Sequence, residues 1–131
     1  MSIDRRVLIA DDDRELRAGV VDLLAGMDLD ILQAETGLEA LSIVRRFAIH
    51  LALLDMHMPG FTGLEVLTVI RRETLRIPCI FLSGDATEAI RRQALQEGAV
   101  AVFTKPYVPA LLRAEVKRAL NLDFAGGGGR V

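Results

Sequence analysis

The stretch Val7-Leu8-Ile9-Ala10-Asp11-Asp12-Asp13 sets four apolar residues directly before three carboxylates. A short apolar run bounded by polar residues is typical of a buried strand in a parallel sheet. A second run, Leu51-Ala52-Leu53-Leu54, ends in the same way at Asp55. Because ligands of open α/β sheets bind outside the carboxyl ends of the strands, the acids after both runs are predicted to meet at one edge of a sheet.

Carboxylates brought this close together repel one another and raise one another's pKa. A cation is therefore expected among them, and carboxylate oxygen is what a hard ion such as Mg²⁺ prefers. The sequence thus predicts a magnesium site at this edge of the sheet.

Strand-like and helix-like segments alternate along the whole chain. Strands are predicted at 7–10, 31–34, 51–54, 79–82 and 100–103, and helices at 14–25, 38–47, 64–72, 87–96 and 109–120. The first helix has one apolar face at Leu16, Val20, Leu23, Leu24 and Met27, and the last at Val108, Leu111, Leu112, Val116 and Leu120. Gly98, just past the fourth helix, is predicted to end it in the left-handed conformation. This alternation predicts a single α/β domain with a doubly wound parallel sheet.

The composition fits one folded domain. The chain has 131 residues, 51% hydrophobic and 26% charged, which excludes a disordered chain and leaves little room for a second domain. No apolar stretch approaches the roughly 20 residues of a membrane span, and residues 1–6 lack the features of a signal peptide, so we expect a cytoplasmic protein with no membrane contact. The formal net charge of −2 provides no broad basic surface for direct nucleic-acid binding. The lone Cys79 is expected to be an inert packing residue, and the glycine-rich residues 123–131 a flexible tail or linker.

Two more polar side chains follow predicted strands. Ser83 comes after the fourth strand, and Lys105, one of two lysines in the chain, comes after the fifth. A metal held by carboxylates beside a hydroxyl and an ammonium can stabilise a phosphoryl group in transfer, where positioning and charge neutralisation do most of the catalysis. No G-x-G-x-x-G or G-K-[ST] loop is present, which counts against nucleotide binding.

Four motifs in this order resemble the receiver domains of two-component response regulators. They are Val7-Leu8-Ile9-Ala10-Asp11-Asp12, Leu54-Asp55-Met56-His57-Met58-Pro59-Gly60-Phe61-Thr62-Gly63, Phe81-Leu82-Ser83-Gly84 and Thr104-Lys105-Pro106. The resemblance covers about residues 5–121 and implies a flavodoxin-like (βα)5 domain over residues 1–122, with strand order 2-1-3-4-5 and helices on both faces of the sheet.

The resemblance also implies roles for single residues. Asp55 would accept a phosphoryl group from the phosphohistidine of a histidine kinase or a histidine phosphotransfer protein. Asp12, Asp55 and the main-chain carbonyl of His57 would bind Mg²⁺, or Mn²⁺ in its place, with Asp11 acting through a water. Ser83 and Lys105 would contact the phosphoryl oxygens, and the Lys105-Pro106 peptide would be cis. Gly63 would mark the start of the third helix.

Several neighbouring residues keep more than one interpretation. Asp13 is expected to cap the first helix rather than bind metal. The imidazole of His57 would face the site mouth with an effect on phosphoryl lifetime that stays open, and Asp85 is either a second such residue or the cap of the fourth helix. His50 has no partner visible in the sequence.

One position departs from the pattern of receiver domains. They usually carry Tyr or Phe three residues before the lysine, and Val102 stands there in this chain. Phe103 is one residue further along, so that its side chain would point to the opposite face of the sheet. We therefore expect an atypical switch, with the signal passing through the loop after Ser83 and the fourth helix.

Three functions follow as hypotheses. The first is a phosphoacceptor receiver that switches the face formed by the fourth helix, fifth strand and fifth helix. It would dimerise on phosphorylation or act through an output domain beyond residue 131 or in a partner protein. The second is an interaction module that kept the fold and lost the switch, which Val102 supports. The third is a phosphatase of the haloacid-dehalogenase type, which would need a second Asp where this chain has His57.

Overall fold

In the computed structural model, which describes residues 5–121, five strands alternate with five helices. The strands are β1 (Arg5–Ala10), β2 (Leu29–Ala34), β3 (Leu51–Asp55), β4 (Cys79–Ser83) and β5 (Ala101–Thr104). The helices are α1 (Arg14–Leu23), α2 (Gly37–Arg46), α3 (Gly63–Arg72), α4 (Glu88–Gln96) and α5 (Pro109–Ala119). All strand pairs are parallel, in the order β2-β1-β3-β4-β5, which confirms the predicted doubly wound fold.

The two faces of the sheet carry separate hydrophobic cores, because successive side chains of a strand point to opposite faces. On β1, Leu8 and Ala10 belong to the core beneath α2, α3 and α4, whereas Val7 and Ile9 belong to the core beneath α1 and α5. The central strands β3 and β4 are buried along their whole length, which explains why both read as continuous apolar runs.

The element boundaries differ from the prediction at several ends. β1 and β2 both start two residues early, because Arg5 and Leu29 already pair in the ladder. β5 starts one residue late, since its ladder with β4 begins at Ala101, and Val100 is left 41% exposed. α1 ends at Leu23 rather than at residue 25, shortly before Gly26 takes a φ of +88°.

Three apolar residues on the predicted helix faces do not reach the core. Leu16, Val108 and Leu111 are 42%, 56% and 60% exposed. They lie near the N-terminal ends of α1 and α5, at the edge of the sheet where its strands end. The rest of both faces is covered, as the buried Val20, Leu24, Leu112, Val116 and Leu120 show.

Local signals in the sequence account for several turns and caps. Asp13 is the N-cap of α1, where one of its side-chain oxygens accepts hydrogen bonds from the amides of Glu15 and Leu16, as predicted. Gly98 follows α4 with a φ of +106°, and the Lys105-Pro106 peptide is cis, both as expected.

Cys79 is a buried free thiol, and burial raises its pKa to about 12, which suits an inert packing residue. None of the helices between residues 5 and 121 combines the length and apolarity that crossing a membrane requires. The predicted tail at residues 123–131 lies outside the described residues.

Candidate functional site

The site lies where four adjacent strands end. β1, β3, β4 and β5 are neighbours in the sheet, and Asp55 and Ser83 are the last residues of β3 and β4. Asp11 directly follows β1, and Lys105 directly follows β5. Parallel pairing therefore brings side chains that are far apart in the sequence to one rim.

Three carboxylates form an acidic cluster on this rim. Asp11, Asp12 and Asp55 each offer one oxygen, and these oxygens all lie within 4.8 Å of one another. Asp11 and Asp55 are only 3% and 6% exposed, whereas Asp12 faces solvent. Burial makes the cluster unfavourable unless positive charge compensates for it.

One ammonium group lies among the acids. Lys105 Nζ is 3.0 Å from Asp55 Oδ1 and 3.1 Å from Asp11 Oδ2. Burial alone would lower the pKa of Lys105, but its hydrogen bonds to Asp55 and Asp11 outweigh this and raise the pKa. The lysine is therefore charged at neutral pH.

The positive charge of Lys105 does not fully compensate for the negative charge of the three carboxylates. The pKa of Asp55 is raised, first by burial and further by the charges of Asp11 and Asp12, although the hydrogen bond from Lys105 opposes the shift. Three carboxylates and one ammonium leave a formal charge of −2 on the cluster. A divalent cation would neutralise this charge.

The geometry of the cluster fits Mg²⁺. Oxygen ligands of Mg²⁺ form an octahedron in which neighbouring ligands lie about 3 Å apart and opposite ligands about 4.2 Å apart. Oxygens within 4.8 Å of one another can therefore serve one ion if their side chains shift by up to about 2 Å. His57 lies two residues after Asp55, in the loop that joins β3 to α3.

Ser83 occupies the expected strand end, but its hydroxyl is engaged elsewhere. The residue is fully buried, and its Oγ donates to Asp85 Oδ1 at 3.1 Å. The same Asp85 oxygen lies 2.8 Å from His57 Nε2. Asp85 thus joins the loop after β4 to the loop after β3.

The interpretation of Asp85 as the cap of α4 is wrong. The N-cap of α4 is Thr87, whose Oγ1 accepts a hydrogen bond from the Ile90 amide, so Asp85 is not the cap. Hydrogen bonds from His57 and then from Ser83 lower the pKa of Asp85. Among the predicted residues, the structure therefore brings Asp11, Asp12, Asp55 and Lys105 together and joins Ser83 to the exposed His57–Asp85 pair.

Val102 and Phe103 face opposite sides of the sheet, as predicted. Val102 is 6% exposed and lies in the core beneath α2, α3 and α4, whereas Phe103 packs against the opposite core. His50, for which the sequence showed no partner, accepts a hydrogen bond from the Arg6 amide through Nδ1 at 2.9 Å.

Sequence reasoning missed two supporting contacts, one made by Gly63 and one by Arg17. A Cβ atom on Gly63 would lie 2.3 Å from the main-chain oxygen of Asp55, so α3 starts in direct contact with that residue. Arg17 is buried and donates to the main-chain oxygen of Asp11. A signal for Arg17 existed, since it lies three residues before Val20 and seven before Leu24, within the apolar face of α1.

Comparison with known proteins gives consistent matches. The family described as response regulator receiver domain matches residues 7–117. The chain is 36% identical over 117 residues to the regulatory protein VanR of Enterococcus faecium, a match that covers 88% of this chain and 50% of VanR. It is 43% identical over 108 residues to protein-glutamate methylesterase/protein-glutamine glutaminase 2 of Rhodopseudomonas palustris (strain BisB18), covering 77% of this chain and 28% of that protein.

A solved structure of similar size matches along nearly its whole length. The response regulator receiver domain protein (CheY-like) from Methanospirillum hungatei JF-1 has a TM-score of 0.84 and 27% sequence identity, covering 91% of this chain and 95% of that one. By contrast, the chain spans half or less of the two curated relatives.

Proposed function

Since the chain belongs to the receiver-domain family of response regulators, we propose that Asp55 accepts a phosphoryl group from the phosphohistidine of a sensor histidine kinase or a histidine phosphotransfer protein. Receiver domains are signalling modules. The observation that carries this proposal is the buried Asp55 carboxylate, held beside Lys105 and two further acids at the carboxyl ends of the strands.

The residues of the rim would have two roles, binding the metal and contacting the phosphoryl group. Asp12, Asp55 and the His57 carbonyl would hold Mg²⁺ and Asp11 would act through a water, and Mn²⁺ could take the place of Mg²⁺. When bound, the metal supplies positive charge that stabilises the phosphoryl oxygens in the transition state. Lys105 adds a compact ammonium that can move from the Asp55 oxygen to a phosphoryl oxygen.

Phosphorylation would require Ser83 to change its partner. Its hydroxyl now donates to Asp85, and contact with a phosphoryl oxygen would break that bond. Asp85 and His57 would then move together, because their side chains share a hydrogen bond. This supports the loop after β4 and α4 as the start of a signal that reaches the face formed by α4, β5 and α5, without the usual aromatic residue.

Labelling with a small phosphodonor tests this proposal. The folded chain, incubated with Mg²⁺ and acetyl phosphate, should gain one phosphoryl group by intact-protein mass spectrometry, and EDTA should prevent it. Asp55→Asn should abolish the labelling, whereas Asp22→Asn, which changes an exposed acid on α1, should not. Equal labelling of Asp55→Asn and the wild type would overturn the assignment of Asp55.

A second candidate function is the interaction module without a switch, which the buried Val102 favours. Binding of beryllofluoride, a phosphoryl mimic, distinguishes the receiver from the interaction module. Shifts of amide resonances in α4 and β5 on its binding support the receiver, and binding without such shifts supports the interaction module. We do not propose turnover of free phosphate esters, because His57 stands where a haloacid-dehalogenase-type phosphatase needs its second Asp, and steady-state phosphatase activity would contradict this.

The output and location are also proposals. An output domain beyond residue 131 or in a partner protein, or a homodimer formed on phosphorylation, would read the switched face. The relatives named above are a regulatory protein and a methylesterase, so membership in the family is compatible with different outputs. The buried free thiol of Cys79 supports a reducing, cytoplasmic compartment.

A further inference from the structure

We propose that Arg17 is a positioning residue for the acidic cluster: its buried guanidinium holds the main-chain carbonyl of Asp11 and thereby sets the place of Asp12. The inference rests on the Mg²⁺ site proposed above and assigns to α1 and β2 a part in building that site.

Arg17 is buried although it carries a charge. It is 7% exposed, and its Nη1 donates to the main-chain oxygen of Asp11 at 2.6 Å. Its Nε donates to Gln33 Oε1, on β2, at 2.9 Å, and its Nη2 lies 3.9 Å from a carboxylate oxygen of the exposed Glu35. The donors of the planar guanidinium sit on three separate nitrogen atoms, so it reaches acceptors that lie further apart than the single nitrogen of a lysine can reach.

The contact with Asp11 bears on Asp12 through the backbone. The carbonyl of Asp11 and the amide of Asp12 belong to one planar peptide unit. A donor that holds this carbonyl therefore orients the peptide on which the Asp12 side chain depends. The guanidinium reaches this peptide from α1 and is itself held by β2 through Gln33.

Asp12 needs this support more than its neighbours do. The side chain of Asp11 accepts hydrogen bonds from the Asp13 amide and from Lys105, and that of Asp55 accepts one from Lys105. Within residues 5–121, the exposed side chain of Asp12 makes no hydrogen bond, so its position follows from its backbone. Loss of the Arg17 contact should therefore loosen this ligand most.

Arg17→Met is the direct test, and Arg113→Met is its matched control. Arg113 also donates to main-chain carbonyls, those of Leu23 and Ala25, but at the other end of α1 from the cluster. Three properties are measured on the unphosphorylated protein: the Mg²⁺ dissociation constant by calorimetry, the melting temperature, and the ¹³C shift of the Asp11 carbonyl.

We expect Arg17→Met to weaken Mg²⁺ binding about tenfold, the lower end of what loss of a group that supports metal ligands costs. The Asp11 carbonyl shift should change in the same variant. Arg113→Met should lower the melting temperature but change the Mg²⁺ dissociation constant by less than about twofold, because its contacts are remote from the ligands.

Arg17→Lys keeps the positive charge and tests the role of Arg17 if Arg17→Met does not fold. Arg17 contacts Asp11 and Gln33 through two different nitrogen atoms, and a lysine has only one to replace them, so this variant should bind Mg²⁺ about threefold more weakly than the wild type. Unchanged affinity and an unchanged Asp11 carbonyl shift in a folded Arg17 variant would overturn the inference alone. Absence of Mg²⁺ binding by the wild type would overturn both the proposed metal site and this inference.

Discussion

Replacing Gly63 by alanine should destabilise the protein and damage its phosphorylation together. The new Cβ would lie 2.3 Å from the main-chain oxygen of Asp55 and 3.0 Å from Phe81 Cε1, whereas ordinary contact begins at 3.4 Å. The oxygen of Asp55 is therefore 1.1 Å too close. Both partners resist a shift, because Asp55 pairs within the sheet and Gly63 lies inside the capping box formed by Thr62 and Glu65.

The magnitude follows from two opposing terms. Overpacking a well-packed site costs about 3 kcal/mol at the upper end of its usual range. Alanine recovers up to about 1 kcal/mol through its better helix propensity. The net loss is about 2 kcal/mol, which for a domain of this size lowers the melting temperature by about 6–10 °C. A displacement of Asp55 by about 1 Å should also slow its phosphorylation by about 100-fold.

Calorimetry and acetyl phosphate labelling measure the two effects, with Gly19→Ala as the control. Gly19 is an exposed residue of α1, and a Cβ there would meet no atom within 4 Å. Its replacement should raise the melting temperature by about 3 °C, since alanine is favoured in a helix by about 1 kcal/mol, and leave phosphorylation unchanged. A Gly63→Ala protein that melts at or above the wild-type temperature would refute the reasoning.

Three other outcomes are expected. Without divalent cations, Asp55→Asn should melt above the wild type at pH 7 and lose this advantage below about pH 3, because the raised pKa of Asp55 makes the folded wild type less stable as pH rises through the ordinary aspartate range near 4. A difference in melting temperature that persists at pH 3 would contradict this. His57→Ala should move the lowered pKa of Asp85 back up towards its ordinary value in a ¹³C carboxyl titration, because His57 is the main cause of the shift; an unmoved titration would argue against the hydrogen bond. Asp12→Asn should weaken Mg²⁺ binding by about tenfold or more by calorimetry, because it removes a charged metal ligand, and Asp13→Asn should hardly change it, since Asp13 caps α1.

The sequence pattern was misleading mainly at the N-terminal ends of α1 and α5, where residues of the predicted apolar faces are exposed to solvent. Spacing shows that Leu111, Leu112 and Val116 share one side of α5, and Leu112 and Val116 are indeed buried. Leu111 is 60% exposed, because the covered strip of the helix is narrower than the apolar stripe. Spacing reports which residues face the same way but not how much of that face a neighbouring layer covers.

Gly63, within the site, likewise shows one feature that the sequence predicts and one that it does not. Its place at the start of α3 was expected, and the structure begins α3 there. Its contact with the Asp55 oxygen depends on how closely α3 approaches the end of β3, which is a distance between two elements. Sequence motifs do not encode such a distance.

The apolar runs and the residues that end them were enough to predict the sheet and the rim with Asp11, Asp12, Asp55 and Lys105, because strand burial and the meeting of parallel strand ends are properties of local sequence. The hydrogen bonds of Arg17 to Asp11 and of Ser83 to Asp85 became visible in the folded chain. They depend on side-chain rotamers and on the packing of α1, α4 and their loops against the sheet. Many such arrangements are compatible with the same hydrophobic pattern, and the packed structure selects one of them.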